Sequence, residues 1–301
     1  MTDAITLKRV NKTFGATKAV SDLDLSIPRG ALYGFIGPNG AGKTTTIRMI
    51  MSILFPDSGE LSVLGHKSAL EAKNRIGYLP EERGVYRKMR VGPFLTFMAR
   101  LKGVPEADIQ GRVKRGLARV GLADTERKRC EDLSKGMQQK VQFVATVIHH
   151  PDLLILDEPF SGLDPVSARA LREMVLEEHA RGATILFSTH VMPHAEELCD
   201  HVVMINKGRK VLDDPVSAIK RRYDPRVIEF DPLEHGADLS PLSSVAEVES
   251  VERTDGGCKI VLRAGASPTS VIPRLAIAVP PARIEIARPT LEEVFVKLVA
   301  A

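Results

Sequence analysis

Three features of this sequence predict an α/β fold with a parallel sheet, followed by a small α+β domain. Short β-rich runs alternate with longer helical stretches through residues 5–215. Two of the runs, Leu153–Leu156 and Thr184–Ser188, are apolar through their centres, as strands buried on both faces are. After about Lys220 the composition changes, and Asp224-Pro225 reads as a break before several short strands. The expected division is therefore 1–220 and 225–301.

In chain order, Ile5–Val10, Leu23–Ile27 and Ala31–Ile36 read as strands, the last ending in a glycine-rich loop. Lys43–Ile53 follows as a helix and Arg75–Leu79 as a short strand. From Val91 to Val120 the pattern is helical, with Phe94, Leu95, Phe97, Met98 and Leu101 at mixed three- and four-residue spacing. Gln138–His149 is a further helix, and Val166–Ala180 lies as a helix between the two apolar strands. In the last part, Val227–Phe230, Val245–Val251, Lys259–Leu262 and Arg283–Ile286 read as strands. Gly256-Gly257 is the expected hairpin turn. Ser270–Ala276 reads as a short helix. Thr290 would cap a final helix Leu291–Val299, with Glu292 and Glu293 in the first turn where the helix dipole favours acids.

The 301 residues, 44% hydrophobic and 27% charged, fit a two-domain globular protein with a core large enough to need no disulfides. Cys130, Cys199 and Cys258 form no C-x-x-C pair, so no zinc site or disulfide framework is indicated, and a reducing cytosolic setting is expected. The net charge of +4 is mild, and the basic runs Arg112–Arg119, Arg127–Arg129 and Lys220–Arg222 read as solvated helix faces, with an anionic partner as the other reading. The N-terminus has no apolar core of a signal peptide. No apolar run approaches the ~20 residues that span a bilayer, so a membrane role would need a partner.

Gly37-Pro38-Asn39-Gly40-Ala41-Gly42-Lys43-Thr44 matches G-x-x-x-x-G-K-[ST] and sits between an apolar strand and a helix. Glycines let the backbone aim successive N–H groups at phosphate oxygens, and the helix adds its positive end. Lys43 places a charge on the β- and γ-phosphates, and the Thr44 hydroxyl suits Mg2+. A cradle from Gly37 to Thr45 for a nucleoside triphosphate with Mg2+ is the expectation. Leu153-Leu154-Ile155-Leu156-Asp157-Glu158 delivers two acids at the C-terminal end of a buried strand, where open α/β sheets bind ligands. Asp157 suits the Mg2+ shell through a water, and Glu158 suits an attacking water as base. His190, within Ser188-Thr189-His190, follows a neighbouring strand and is placed to contact a γ-phosphate; a structural role is its other reading.

Leu133-Ser134-Lys135-Gly136-Met137-Gln138-Gln139 resembles the LSGGQ-type signature of ATP-binding-cassette (ABC) ATPases, which P-loop proteins of other families lack. Its order relative to the loop, the Asp157-Glu158 pair, Ser161-Gly162-Leu163-Asp164 and His190 fits as well, and the resemblance covers about residues 5–215. It implies a P-loop NTPase cassette with a parallel-core sheet, an antiparallel β part and a helical subdomain at about 85–135. It also implies a head-to-tail homodimer with ATP between the phosphate loop of one copy and Ser134 and Gly136 of the other, and with Asp164 on the seam. Phe14 stands where the family places an aromatic on adenine; a core phenylalanine is its other reading.

Two departures stand out. The signature reads Ser-Lys-Gly-Met for Ser-Gly-Gly-Gln, keeping the serine and second glycine. In Ile76-Gly77-Tyr78-Leu79-Pro80-Glu81-Glu82-Arg83-Gly84, Glu81 replaces the usual glutamine that touches Mg2+, keeping an oxygen ligand but adding negative charge. The stretch around Glu81 and Arg288-Pro289-Thr290-Leu291-Glu292-Glu293-Val294-Phe295 resemble the ATPase subunits of ABC-2-type exporters, similar to those for drugs or sodium. That resemblance implies an ATP-hydrolysing motor driving a separate integral-membrane permease, on the inner face of the cell membrane, with no nucleic acid. The permease would dock on the helical insert, where Phe94, Phe97 and Met98 either line its groove or belong to the core. A soluble ABC ATPase acting on nucleic acid or ribosomes is the alternative, although the second cassette or long coiled coil of such proteins is missing. Intact Glu158 and His190 argue against a binding module without hydrolysis. The C-terminal domain reads equally as a regulator and as an inert cap.

Overall fold

In the computed structural model, residues 3–82, 84–222, 226–287 and 290–300 are described; Arg83, the Asp224-Pro225 break and Arg288-Pro289 of the C-terminal run lie outside them. The chain divides into two compact units, Met1–Val216 and Ser217–Ala301.

The first unit opens on an antiparallel hairpin, β1 (Asp3–Phe14) and β2 (Thr17–Pro28). Then come β3 (Leu32–Ile36), α1 (Lys43–Ile50), β4 (Ser58–Val63) and β5 (Ile76–Leu79). The insert holds α2 (Val91–Leu101) and α3 (Glu106–Arg119), and α4 (Lys135–Val147) follows it. The unit continues with β6 (Leu153–Asp157), α5 (Pro165–Ala180), β7 (Thr184–Thr189), α6 (Met192–Leu198), β8 (His201–Asn206) and β9 (Arg209–Pro215). The main sheet has the order β5-β6-β7-β3-β8-β9, all parallel except the edge strand β9. Every residue of β3, β6 and β7 is buried, which explains their unbroken apolar character. A second, antiparallel sheet runs β2-β1-β4. Because β5, β6, β7 and β3 are parallel neighbours, the loops leaving their C-terminal ends emerge along one edge.

Beyond α7 (Val216–Arg222), the second unit is a four-stranded antiparallel sheet. It holds β10 (Val227–Pro232), β11 (Val248–Thr254), β12 (Gly257–Leu262) and, after α8 (Pro268–Ala278), β13 (Pro281–Ala287) and α9 (Leu291–Ala300). Its order is β11-β12-β10-β13, over a core of Ile228, Phe230, Ile260, Leu262, Val271 and Leu275.

Several boundaries depart from the sequence reading, each for a local reason. The stretch Val91–Val120 is two helices, broken where Gly103 takes a φ of 75° and Pro105 caps α3. The first helix stops at Ile50 rather than Ile53, since Ser52 has a φ of 56°. The helix after the insert starts at Lys135, not Gln138, because the Ser134 hydroxyl accepts the Met137 N–H. The last hairpin turns on Asp255-Gly256, one residue early, so that Gly257 already pairs with Thr254. β4, α6, β8 and β9 are additional to the sequence reading.

Candidate functional site

The phosphate loop leaves the buried end of β3 and enters α1 through Gly42, whose φ is 107°. A side chain there would bring a Cβ within 2.4 Å of the Ala19 carbonyl oxygen, so only glycine lets the loop pass. Lys43 is almost fully buried. Its Nζ donates to the Gly37 oxygen at 2.7 Å and the Pro38 oxygen at 3.1 Å, folding the ammonium back along the loop. Burial lowers its pKa, while Glu158, Asp157 and Glu81 raise it. The charge therefore sits where anions already surround it.

Asp157 ends β6 at 1% exposure, and among the described residues neither of its carboxylate oxygens has a hydrogen-bond partner; the Ser188 hydroxyl at the end of β7 is buried and unpartnered among them too. Burial raises the Asp157 pKa, with the nearby Ser188 and Thr44 hydroxyls opposing. A buried, unpaired carboxylate is costly in an ordinary core and fits a cation. Glu158 follows with a φ of 50°, a strained conformation for a non-glycine residue. Its Oε1 accepts the His190 backbone N–H and lies 2.7 Å from His190 Nδ1, and its Oε2 accepts the Thr189 hydroxyl at 3.0 Å. Three donors thus hold the carboxylate from the β7 side.

These groups share a cavity of about 380 Å3 lined by Asn39, Gly40, Gly42, Lys43, Thr44, Thr45, Glu81, Asp157 and Glu158, with Thr17, Lys18 and Ala19 of β2 completing it. Gly37 and Pro38 act on it through their carbonyls, and Ala41 is buried under the loop. His190 reaches it through Glu158. Ser134, Gly136 and Asp164 are not among its lining residues. Ser134 caps α4, Gly136 lies in that helix's first turn, and Asp164 caps α5. Asp164 accepts the Ser167 N–H at 2.9 Å and its hydroxyl at 2.6 Å, bonds that lower the Asp164 pKa. Phe14, at the end of β1, is 48% exposed with the Lys12 ammonium 5.5 Å from its ring centre, which excludes the core reading for it. Phe94 is 1% exposed and belongs to the core, whereas Phe97 and Tyr86 are exposed and meet edge to face.

Sequence reasoning missed Thr189, Ser188 and Gln142. The two hydroxyls were visible beside His190, but nothing in the sequence shows that they face the acids of a different strand. Gln142, on α4, bonds the backbone just after Glu81 and carried no sequence signal.

An ABC transporter family model matches residues 20–161, and a model of the C-terminal domain of DrrA1-3-like ATP-binding proteins matches residues 215–299. The ABC transporter ATP-binding protein YhaQ of Bacillus subtilis is 40% identical over 99% of this chain and 99% of its own. The Nod factor export ATP-binding protein I of Cupriavidus pinatubonensis is 35% identical over 82% of this chain and 78% of its own. Among solved structures, the ATP-binding subunit of an ABC transporter superposes with a TM-score of 0.69 at 31% identity, covering 80% of this chain and 98% of that one.

Proposed function

This chain belongs to the family of ABC transporter ATP-binding proteins and is an ATPase of that family, and on that premise we propose that it is the motor of an exporter, working as a pair of copies against a separate membrane permease. One observation carries the paired reading. The phosphate loop, Glu81, Asp157 and Glu158 line one cavity, while Ser134, Gly136 and Asp164 stand outside it. A serine hydroxyl and glycine amide at a helix start suit the γ-phosphate of ATP held by a second copy. Asp164 then lies on the seam.

Within each cavity, the amides from Gly37 to Thr45 cradle the phosphates and Lys43 grips the β- and γ-oxygens. The residues fit Mg2+, since buried Asp157 has two unpartnered oxygens beside Thr44 and Glu81. Those three would hold the ion, which neutralises phosphate charge. Among the described residues there is no group of three or more His, Cys, Asp or Glu suited to a metal; Mg2+ bound by one or two carboxylates plus phosphates does not require one. Glu158 takes the proton of the attacking water, and His190 orients it and reaches the γ-phosphate. The exposed Phe14 ring offers a face to adenine.

Export, rather than uptake, is supported by the likeness to a Nod factor export protein over most of both chains. No described helix is long and apolar enough to cross a membrane, so a membrane role falls to a partner docked near exposed Tyr86 and Phe97, on the inner face of the cell membrane. A nucleic-acid partner is not expected, because Arg112 and Arg119 in the longest basic run already face Asp108 and Glu177.

Glu158→Gln and Lys43→Ala test the reading. The first should keep ATP affinity and lose at least about 100-fold in hydrolysis, as removal of a general base does. The second should lose ATP binding itself. A Lys43→Ala protein that binds and splits ATP like the parent overturns the site. Failure to co-purify with any integral membrane protein overturns the transport role.

A further inference from the structure

The side chain of Gln142 joins two parts of the site that the sequence keeps 60 residues apart. It lies in the middle of α4 and is 6% exposed. Its Oε1 accepts the Gly84 N–H at 3.0 Å, and its Nε2 donates to the Glu82 carbonyl at 3.3 Å. One amide therefore satisfies a donor and an acceptor on the backbone immediately following Glu81. A buried glutamine spends both of its hydrogen-bonding atoms this way only if that segment keeps its place relative to the helix.

Glu81 itself has no such anchor. It is exposed, it follows the short edge strand β5, and it lines the phosphate cavity beside Lys43 and Asp157. No hydrogen bond from its own side chain fixes it among those described, so its position depends on the backbone on either side. On the upstream side β5 is held by its ladder to β6. On the downstream side the described holds are Gln142 and a 4.0 Å ion pair between Arg48 and Glu82, and the latter is too exposed to fix the backbone. The same helix begins at Ser134, and a helix is stiff over such a distance, about 12 Å for eight residues at 1.5 Å each. Displacement of its capped end is therefore carried to Gln142.

We propose that Gln142 is a positioning residue for the metal side of the site: its amide fixes Glu81 to α4, so that Mg2+ use depends on where α4 stands. The proposal rests on the reading of Glu81 as a Mg2+ ligand. Contact to the chemistry is made by Glu81, and Gln142 acts only through it.

The test is the Mg2+ dependence of ATP hydrolysis in four proteins: the parent, Gln142→Met, Glu81→Ala and the double variant. Methionine keeps the length and helix preference of glutamine while removing its amide. Coupled neighbours typically show interaction energies worth about twofold or more, so the Gln142→Met protein should need at least about twofold more Mg2+ for half-maximal rate. Its affinity for ATP without Mg2+, read with a fluorescent nucleotide, should match the parent. The double variant should behave like Glu81→Ala alone. Independent effects that multiply in the double variant overturn the proposal, as does a Gln142→Met protein with a lowered Tm and an unshifted Mg2+ curve. If Glu81→Ala shifts the curve and Gln142→Met does not, the metal ligand stands and the positioning role falls. If Glu81→Ala leaves the curve unchanged, the metal reading falls and takes this role with it. Should Gln142→Met not fold, Gln142→Glu keeps the acceptor for Gly84, loses the donor to Glu82, and is judged by the same four comparisons.

Discussion

Asp157 and His149 show what single buried side chains cost this fold. Among the described residues no side chain lies within full hydrogen-bond geometry of the Asp157 carboxylate, and burial raises its pKa against the opposing pull of the nearby Ser188 and Thr44 hydroxyls. A raised folded-state pKa means that the folded form holds the proton more tightly than the unfolded form does. The penalty is therefore absent in acid and grows as pH rises past the ordinary carboxylate range. Asp157→Asn should raise the Tm of the nucleotide-free protein at pH 8, the gain fading toward about pH 4, while cutting Mg2+-dependent hydrolysis at least about 100-fold. A lowered Tm at pH 8 would show that the carboxylate stabilises the fold instead. His149 works in the opposite direction. Its Nε2 lies 3.2 Å from the Ile76 oxygen and its Nδ1 is buried without a partner. Burial, with the Lys102 charge adding to it, pushes its pKa down to about 4. The unfolded chain therefore binds a proton that the fold refuses, and stability drains away as pH falls from about 6.5 toward 4. At pH 5 the loss from this one group is about 2 kcal/mol. His149→Gln should flatten the change in urea midpoint between pH 7 and pH 5, and an unaltered slope would assign the acid sensitivity elsewhere. Neither cost is visible in the sequence. Asp157 was legible because an apolar run delivers it beside Glu158, but its unpartnered oxygens depend on Ser188 and Thr44 of other elements.

At the scale of elements, what the sequence discloses follows from burial. β3, β6 and β7 are buried on both faces, so they stand out as apolar runs, and the phosphate loop between β3 and α1 carries its own residue code. β4 is mostly exposed, and its Gly59 has a φ of 94° where a Cβ would lie 2.4 Å from the Arg9 oxygen. No alternation marks it, since close backbone approach to β1 fixes it rather than an apolar face. β8 is apolar, but its pairing with β3 is a long-range choice that local pattern does not reveal. The cap of α4 is half legible: the signature puts the Ser134 hydroxyl at a helix start as a phosphate contact, while the apolar pattern alone starts that helix only at Gln138, and the structure makes Ser134 its N-cap. The two roles separate by substitution. Ser134→Ala should cost about 1 kcal/mol of stability, the usual value of a lost cap. Ser134→Asp keeps a capping oxygen and suits the helix dipole, so its unfolding free energy from urea titration should stay within about 0.5 kcal/mol of the parent. Its new charge opposes a γ-phosphate, and hydrolysis should fall at least about tenfold. Full activity in Ser134→Asp would remove Ser134 from the site and leave it only a cap.

For the whole molecule, the parallel order of β5, β6, β7 and β3 gathers the loop, Glu81, Asp157 and Glu158 on one edge, whereas the caps of α4 and α5 open elsewhere in the same unit. On the proposed paired reading, topology builds one part of a hydrolytic site per chain and leaves the other part to a second copy. A head-to-tail pair repeats this twice, since a two-fold axis makes each surface meet its counterpart. Complementation follows from that symmetry. Lys43→Ala spoils the loop of its own chain, and Ser134→Ala spoils the cap it offers its partner. Each variant alone has both composite sites damaged. In a mixed pair, the intact loop of the Ser134→Ala chain faces the intact Ser134 of the Lys43→Ala chain, so one site of the two is whole. Random pairing of equal amounts makes half the dimers mixed, and ATPase activity should recover to roughly a quarter of the parent's. Recovery should rise with protein concentration, because it needs association. A mixture no more active than the two variants measured separately would mean that Ser134 serves the loop of its own chain, or none, and the paired arrangement would have to be given up.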